Sequence, residues 1–146
     1  MATTDEITRF MRQAFPGSSF EIVTSGDRHA TIRRPVTEAD TRPGGTVSGP
    51  TLMALADTAL YVAVHATLGI TPHAVTSQLN IHFLRRPAGG KAVVAGCRLL
   101  RVGRSMAVGE VALYSEGEDE PVAHATGSYA LPAKRGGEPA STPVSG

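Results

Sequence analysis

A chain of 146 residues, 41% hydrophobic and 18% charged, has the profile of one soluble globular domain around a single core, which excludes collagen-like, coiled-coil and wholly disordered chains. A formal net charge of +1 and 5% aromatic residues argue against a nucleic-acid partner, because neither a strong positive field nor many stacking platforms are present. The charge is uneven along the chain. Between residues 41 and 109 seven cations (Arg42, Arg85, Arg86, Lys91, Arg98, Arg101, Arg104) stand against one acid, Asp57, and twelve of the fourteen basic residues are Arg. Such a stretch suits a small ligand that carries phosphate or carboxylate.

Residues 1–10 contain Asp5, Glu6 and Arg9 where a signal peptide needs an unbroken apolar run, and no later run reaches the roughly 18 uncharged apolar residues of a membrane span. A cytoplasmic protein without a membrane partner is therefore expected. Thr3 and Glu6 form a capping-box pattern, and Ile7, Phe10, Met11 and Ala14 recur at helical spacing. A short helix is predicted over about residues 5–15, stopped by Pro16-Gly17. Residues 20–24 and 29–34 read as two antiparallel strands joined by a turn at Ser25-Gly26-Asp27-Arg28. A loop rich in Pro, Thr, Asp and Gly fills residues 35–49.

Ser48-Gly49-Pro50 then opens a helical pattern of about 19 residues that stops at Gly69. Leu52, Met53, Leu55, Leu60, Tyr61, Val62, Val64 and Leu68 leave it no broad polar face, so it is expected to be surrounded by protein. Residues 74–84 alternate, which directs Val75, Ser77, Leu79, Ile81 and Phe83 to the core and Ala74, Thr76, Gln78, Asn80 and His82 to a polar face. Three further strands are predicted at residues 91–102, 105–114 and 122–131, and residues 132–146 read as a disordered tail. The predicted class is α+β: one domain over residues 1–131, with an antiparallel sheet wrapped around one long buried helix. The last four strands lack crossover helices, which excludes a doubly wound parallel sheet.

Asp57 is the strongest anomaly. It interrupts an apolar helix where a carboxylate is a poor helix former and costly to desolvate, which marks it as a candidate general base or nucleophile. Held purely for structure by an Arg or a hydroxyl, it would have no such role. Arg42-Pro43-Gly44-Gly45-Thr46-Val47-Ser48-Gly49-Pro50 runs into the helix start, where backbone amides can hydrogen-bond an anion or a developing oxyanion. The lone Cys97 reads as a small core residue. The five His show no metal-ligand spacing with carboxylates, so no metal site is expected.

The order of elements, the Gly-rich loop entering a long helix, and Leu55-Ala56-Asp57 within it resemble the hotdog-fold thioesterases of the PaaI type, over about residues 20–131. That family reads Asn, a few residues, Gly, then His-Gly-Gly, with the acid nine positions after the His. Counting back from Asp57 places Ser48 at the His, Gly49 and Pro50 at the Gly pair, and Arg42 at the Asn. Asp57 and Gly49 match; Ser48, Pro50 and Arg42 depart. The resemblance implies an acyl-CoA thioesterase that releases free acid and coenzyme A, with no cofactor beyond the coenzyme A of its substrate. The Gly49 N–H would polarise the carbonyl, while Asp57 activates water or attacks directly.

Val75-Thr76-Ser77-Gln78-Leu79-Asn80 is similar to the family stretch that supplies a Ser or Thr from the partner subunit, which gives Thr76 that role and places Asn80 near the substrate. Arg101-Val102-Gly103-Arg104-Ser105 resembles the family's basic-Gly-basic turn. It implies Arg101 and Arg104, with Arg85 and Arg86, as partners of the coenzyme A phosphates. Ser48, Arg42 and Pro50 would flank the substrate, and Tyr61, Met53, Leu60 and the preceding loop would line the acyl pocket. The implied assembly is a homodimer or a homotetramer built as a dimer of dimers. The alternative is a non-catalytic acyl-CoA-binding or regulatory hotdog protein in which Ser48 and Arg42 mark lost chemistry. A hydratase on the same fold would use a His paired with an acid, and none is evident near Asp57.

Overall fold

The computed structural model describes residues 1–133. The expected disordered tail therefore lies almost wholly outside the described residues. Helix α1 (Thr4–Ala14) starts at the predicted capping box: Thr3 Oγ1 accepts from the Glu6 N–H at 3.2 Å, and the Glu6 carboxylate accepts from the Thr3 N–H at 2.8 Å. Ile7 and Met11 form its buried stripe. Strands β1 (Glu21–Gly26) and β2 (His29–Arg34) pair antiparallel through Gly26 and His29, so the ladder continues two residues further than expected. The turn is only Asp27-Arg28, with Arg28 at φ 65° and its N–H bonded to Thr67 Oγ1 at 2.9 Å.

The loop to the long helix is tied down by Asp40, the last residue of a 3-10 turn (Glu38–Asp40). Its buried carboxylate accepts from Arg34 at 2.7 Å and from the Thr37 N–H and hydroxyl, and its carbonyl accepts from the Ser48 N–H at 2.8 Å. Burial pushes this carboxyl up, but the Thr37 amide and the Arg34 charge outweigh it and hold it below the usual carboxylate range. Asp40 thus fixes where the next helix begins.

Helix α2 (Gly49–Leu68) is capped by Ser48 and ends at Gly69, which takes φ 93° and donates to the His65 carbonyl at 2.8 Å. Strands β3 (Val75–Phe83), β4 (Val93–Val102), β5 (Met106–Ser115) and β6 (Ala123–Ala130) complete one six-stranded antiparallel sheet in the order β1-β2-β4-β5-β6-β3. All six strands touch α2, which is the hotdog arrangement expected from the sequence. By length and hydropathy α2 could cross a membrane, yet here the sheet covers most of it. Its deepest contact is Leu60, seated on the cross-strand glycines Gly109 and Gly127. A Cβ on either glycine would meet Leu60 methyl carbons at 2.8 Å or 2.7 Å. Only glycine lets the helix approach the sheet this closely.

Two expectations require correction. The first turns of α2 are open, with Met53 39% exposed, so the helix is surrounded by its own chain only from Leu55 onward. In β3 the alternation breaks at a bulge between Thr76 and Gln78, where Ser77 turns aside to bond the Ser128 hydroxyl at 2.8 Å. Leu79 and Ile81 pack on the core as expected, but Val75 and Phe83 are more than half exposed. Beyond the bulge, Thr76 shares the helix-facing side with Leu79 and Ile81, the face opposite to the one its spacing implied.

Candidate active site

Asp57 lies half-buried on the face of α2 that looks toward the ends of β3 and β6, rather than fully desolvated inside the helix packing. Two hydroxyls converge on its Oδ1: Thr76 donates at 2.7 Å and Tyr129 donates at 2.7 Å. Tyr129 also reaches the Asp57 carbonyl at 3.1 Å. Thr76 and Tyr129 are cross-strand partners in the β3–β6 ladder, so sheet register delivers both donors to one carboxylate oxygen. Among the described residues no donor reaches Oδ2. The Thr76 that meets Asp57 belongs to the same chain, which corrects the expectation that it arrives from a partner subunit.

The second element is the helix start, where every first-turn amide can be accounted for. Pro50 has no N–H; the Thr51 N–H donates to Ser48 Oγ at 3.3 Å, and the Leu52 N–H donates to the Ser48 carbonyl at 3.2 Å. Among the described residues the Gly49 N–H has no acceptor. The Phe83 ring packs over this glycine, 3.3 Å from where a Cβ would stand. Ser48, placed by the resemblance beside the substrate, has its hydroxyl engaged as the helix cap and bonded to Thr51 Oγ1 at 2.8 Å. Arg42 is exposed in a tight turn whose backbone closes on Thr46 at 2.7 Å.

A cavity of about 420 Å³ opens beside Asp57, walled by Met11 and Phe15 of the α1 end, Ser18 and Phe20 of the following loop, Tyr61, Pro72 and Tyr129. Thr58, Ala74, Val75 and Thr76 complete its rim. Tyr61 lines this cavity, whereas Met53, Leu60 and the loop before α2 do not. Asn80 is exposed beyond the bulge and takes no part in this cavity. Tyr61 donates to the Pro72 carbonyl at 3.1 Å and stacks on Tyr129 at 5.7 Å. Behind it, His65 is fully buried, 4.2 Å from the Tyr61 ring and 5.1 Å from Phe10. Its Nδ1 accepts from the Thr71 N–H at 3.0 Å, which leaves the ring proton on a buried Nε2 without a partner. Burial pushes this imidazole down to about 4, so it packs as a neutral ring.

The cations are less concentrated in space than in sequence. Arg85 pairs with Glu120 at 2.8 Å, Lys91 with Glu118 at 3.6 Å, and Arg98 with Glu110 at 2.6 Å, all acids from beyond the basic stretch. Arg42, Arg86 and Arg101 make no ion pair among the described residues, and Arg101 and Arg104 are exposed around the β4–β5 turn. No cluster of three His, Cys, Asp or Glu among the described residues could hold a metal ion. Cys97 is buried, and burial raises its thiol to about 12. Sequence reasoning missed Tyr129 and Asp40. A Tyr in a strand and an Asp in a polar loop carry no local signal of what they will bond.

The chain matches the family model of the thioesterase superfamily over residues 44–122. A structure from Silicibacter sp. TM1040, provisionally described as a thioesterase, is 39% identical with a TM-score of 0.82, covering 89% of this chain and 92% of that one. A point mutant of the phenylacetic acid degradation protein PaaI from Thermus thermophilus is 25% identical with a TM-score of 0.68, covering 84% and 98%. A Streptococcus mutans UA159 protein bound to acetyl CoA shares the fold at 22% identity and a TM-score of 0.72, covering 82% and 94%. No curated protein matches the chain.

Proposed function

Because the chain belongs to the thioesterase superfamily, we propose that it hydrolyses acyl-CoA thioesters with Asp57 as general base. The observation that carries this reading is a carboxylate held on one oxygen by two hydroxyls at the mouth of an aromatic-lined cavity. In the reaction Asp57 Oδ2 takes a proton from water while the water oxygen bonds to the thioester carbon. The Thr76 hydroxyl keeps its proton and donates a hydrogen bond to Oδ1, so its lone pairs remain to accept from the other water hydrogen and aim the attack. Collapse of the tetrahedral intermediate breaks the C–S bond. The proton held by Asp57 passes to the departing thiolate of coenzyme A, which leaves free acid and thiol.

The charge that develops on the carbonyl oxygen needs a donor, and the unpaired Gly49 N–H at the positive end of α2 has the right chemistry. Gly49 precedes Asp57 by eight residues, which is about 12 Å along a helix. One thioester cannot touch both groups of a single chain, so each site combines Gly49 of one subunit with Asp57 and Thr76 of another. Strand β3 supplies a route: it is a nine-residue edge strand with an unpaired backbone ladder and exposed Val75 and Phe83. Pairing two such edges yields a homodimer, the unit from which a homotetramer would be built. Arg86, Arg101 and Arg104, with Arg85 held by Glu120, are the candidates for the phosphates of coenzyme A, a ligand that the acetyl CoA held by the Streptococcus mutans relative supports.

Thiol release from acetyl-, hexanoyl-, decanoyl-, benzoyl- and phenylacetyl-CoA tests this reading. Saturable turnover of at least one ester is expected. Tight binding of these esters without turnover would replace the enzyme with an acyl-CoA-binding protein.

A further inference from the structure

We propose that Tyr129 is a positioning residue for this reaction, locking the Asp57 carboxylate with Oδ2 turned to the substrate; the role rests on the hydrolase reading above. Its hydroxyl bridges the side-chain and backbone oxygens of the same residue, at 2.7 Å to Oδ1 and 3.1 Å to the carbonyl. A carboxylate grasped in this way cannot swing about its own side-chain bonds without breaking a charge-assisted hydrogen bond. The phenol is itself immobile. Its ring is 4% exposed and stacked on Tyr61, which is pinned in turn to Pro72 and wedged against His65.

The chemistry of the clamp matters as much as its rigidity. Around Asp57 the cavity presents Thr58 and Tyr61 from α2, Thr76 from β3 and Tyr129 from β6, and, among the described residues, no Lys, Arg or His. An Arg partner would orient the carboxylate but neutralise the charge that must take the water proton. Two neutral hydroxyls orient it and leave that charge in place. Burial raises the Tyr129 phenol well above its ordinary range, so it stays protonated and donates at any working pH. By filling Oδ1, Tyr129 and Thr76 together leave Oδ2 as the one oxygen available to water.

The test is steady-state kinetics on wild type, Tyr129→Phe, Asp57→Asn and the double variant, using the best ester of the panel. Tyr129→Phe keeps the stacked ring and deletes only the hydroxyl, and circular dichroism at the assay temperature verifies that it is folded. The expected result is a fall in kcat of about 10- to 100-fold with KM within about threefold, because the lost bond orients the base and not the substrate. In the Asp57→Asn background the same change should add less than about twofold, since its effect runs through Asp57. Unchanged kcat in Tyr129→Phe, or an equal loss in both backgrounds, overturns the proposal while leaving the hydrolase reading intact. Equal turnover by wild type and Asp57→Asn instead removes the reading, and the proposal with it.

Discussion

Asp57 and His65 sit two helical turns apart on α2, yet one faces an open cavity and the other is sealed behind Tyr61. The sealed one ties stability to pH. Folding holds the His65 imidazole at about 4 against 6.5 in the unfolded chain, so the folded protein binds fewer protons between those values. The part of stability linked to His65 is fully present above pH 6.5 and is lost as pH drops toward 4, by about 3 kcal/mol at roughly 1.4 kcal/mol per unit. Thermal unfolding followed from pH 7 to pH 4 should show this decline, and His65→Phe should flatten it; an unflattened slope would assign the decline elsewhere. Asp57 was legible in the sequence because a carboxylate inside an apolar helical run has no bland local reason. Tyr129 was not, because an aromatic in a strand looks like any core residue until the register places it beside the helix. Asp40 escaped for the same reason, its role resting on contacts with Arg34 and Ser48 across a loop.

At the scale of elements, local signals gave α1, α2 and the succession of strands along the chain, since capping boxes, helical spacing and glycine stops are written within a few residues. The bulge in β3 was hidden, because its cause is the Ser77–Ser128 hydrogen bond between residues 51 positions apart. Equally hidden was the second task of α1. Its last turn and the loop after it wall the cavity through Met11, Phe15 and Phe20, where the sequence pointed to Met53 and the loop before α2. Truncating Phe15 to Ala should therefore raise KM for decanoyl- or phenylacetyl-CoA by about fivefold, on the order of 1 kcal/mol of lost apolar contact, and leave acetyl-CoA nearly unaffected. An equal change for all esters would mean that the acyl group lies elsewhere. Fold stability should barely respond, since Phe15 is 45% exposed.

The whole molecule combines two facts that no single element shows. Acids from beyond the basic stretch return to pair with Arg85, Lys91 and Arg98, while Arg42, Arg86 and Arg101 of that stretch make no ion pair among the described residues. Under the proposed hydrolysis, the eight-residue offset between Gly49 and Asp57 calls for a second copy. Subunit mixing tests that demand. Gly49→Pro deletes one N–H at a position where Pro suits a helix start, and should cost about 100-fold or more in kcat, as should Asp57→Asn. Coexpressed, the two inactive chains should recover about a quarter of wild-type activity, because half of the dimers are mixed and one of their two sites is intact. No recovery would place both groups in one subunit.

Thiol release by wild type beside Asp57→Asn decides whether the Asp57 carboxylate drives hydrolysis. A loss of at least about 100-fold in the variant, roughly 2.7 kcal/mol of transition-state stabilisation, is the predicted result. Turnover that survives the substitution would remove Asp57 from the reaction, and no turnover by the wild-type protein across the whole panel would remove the reaction itself.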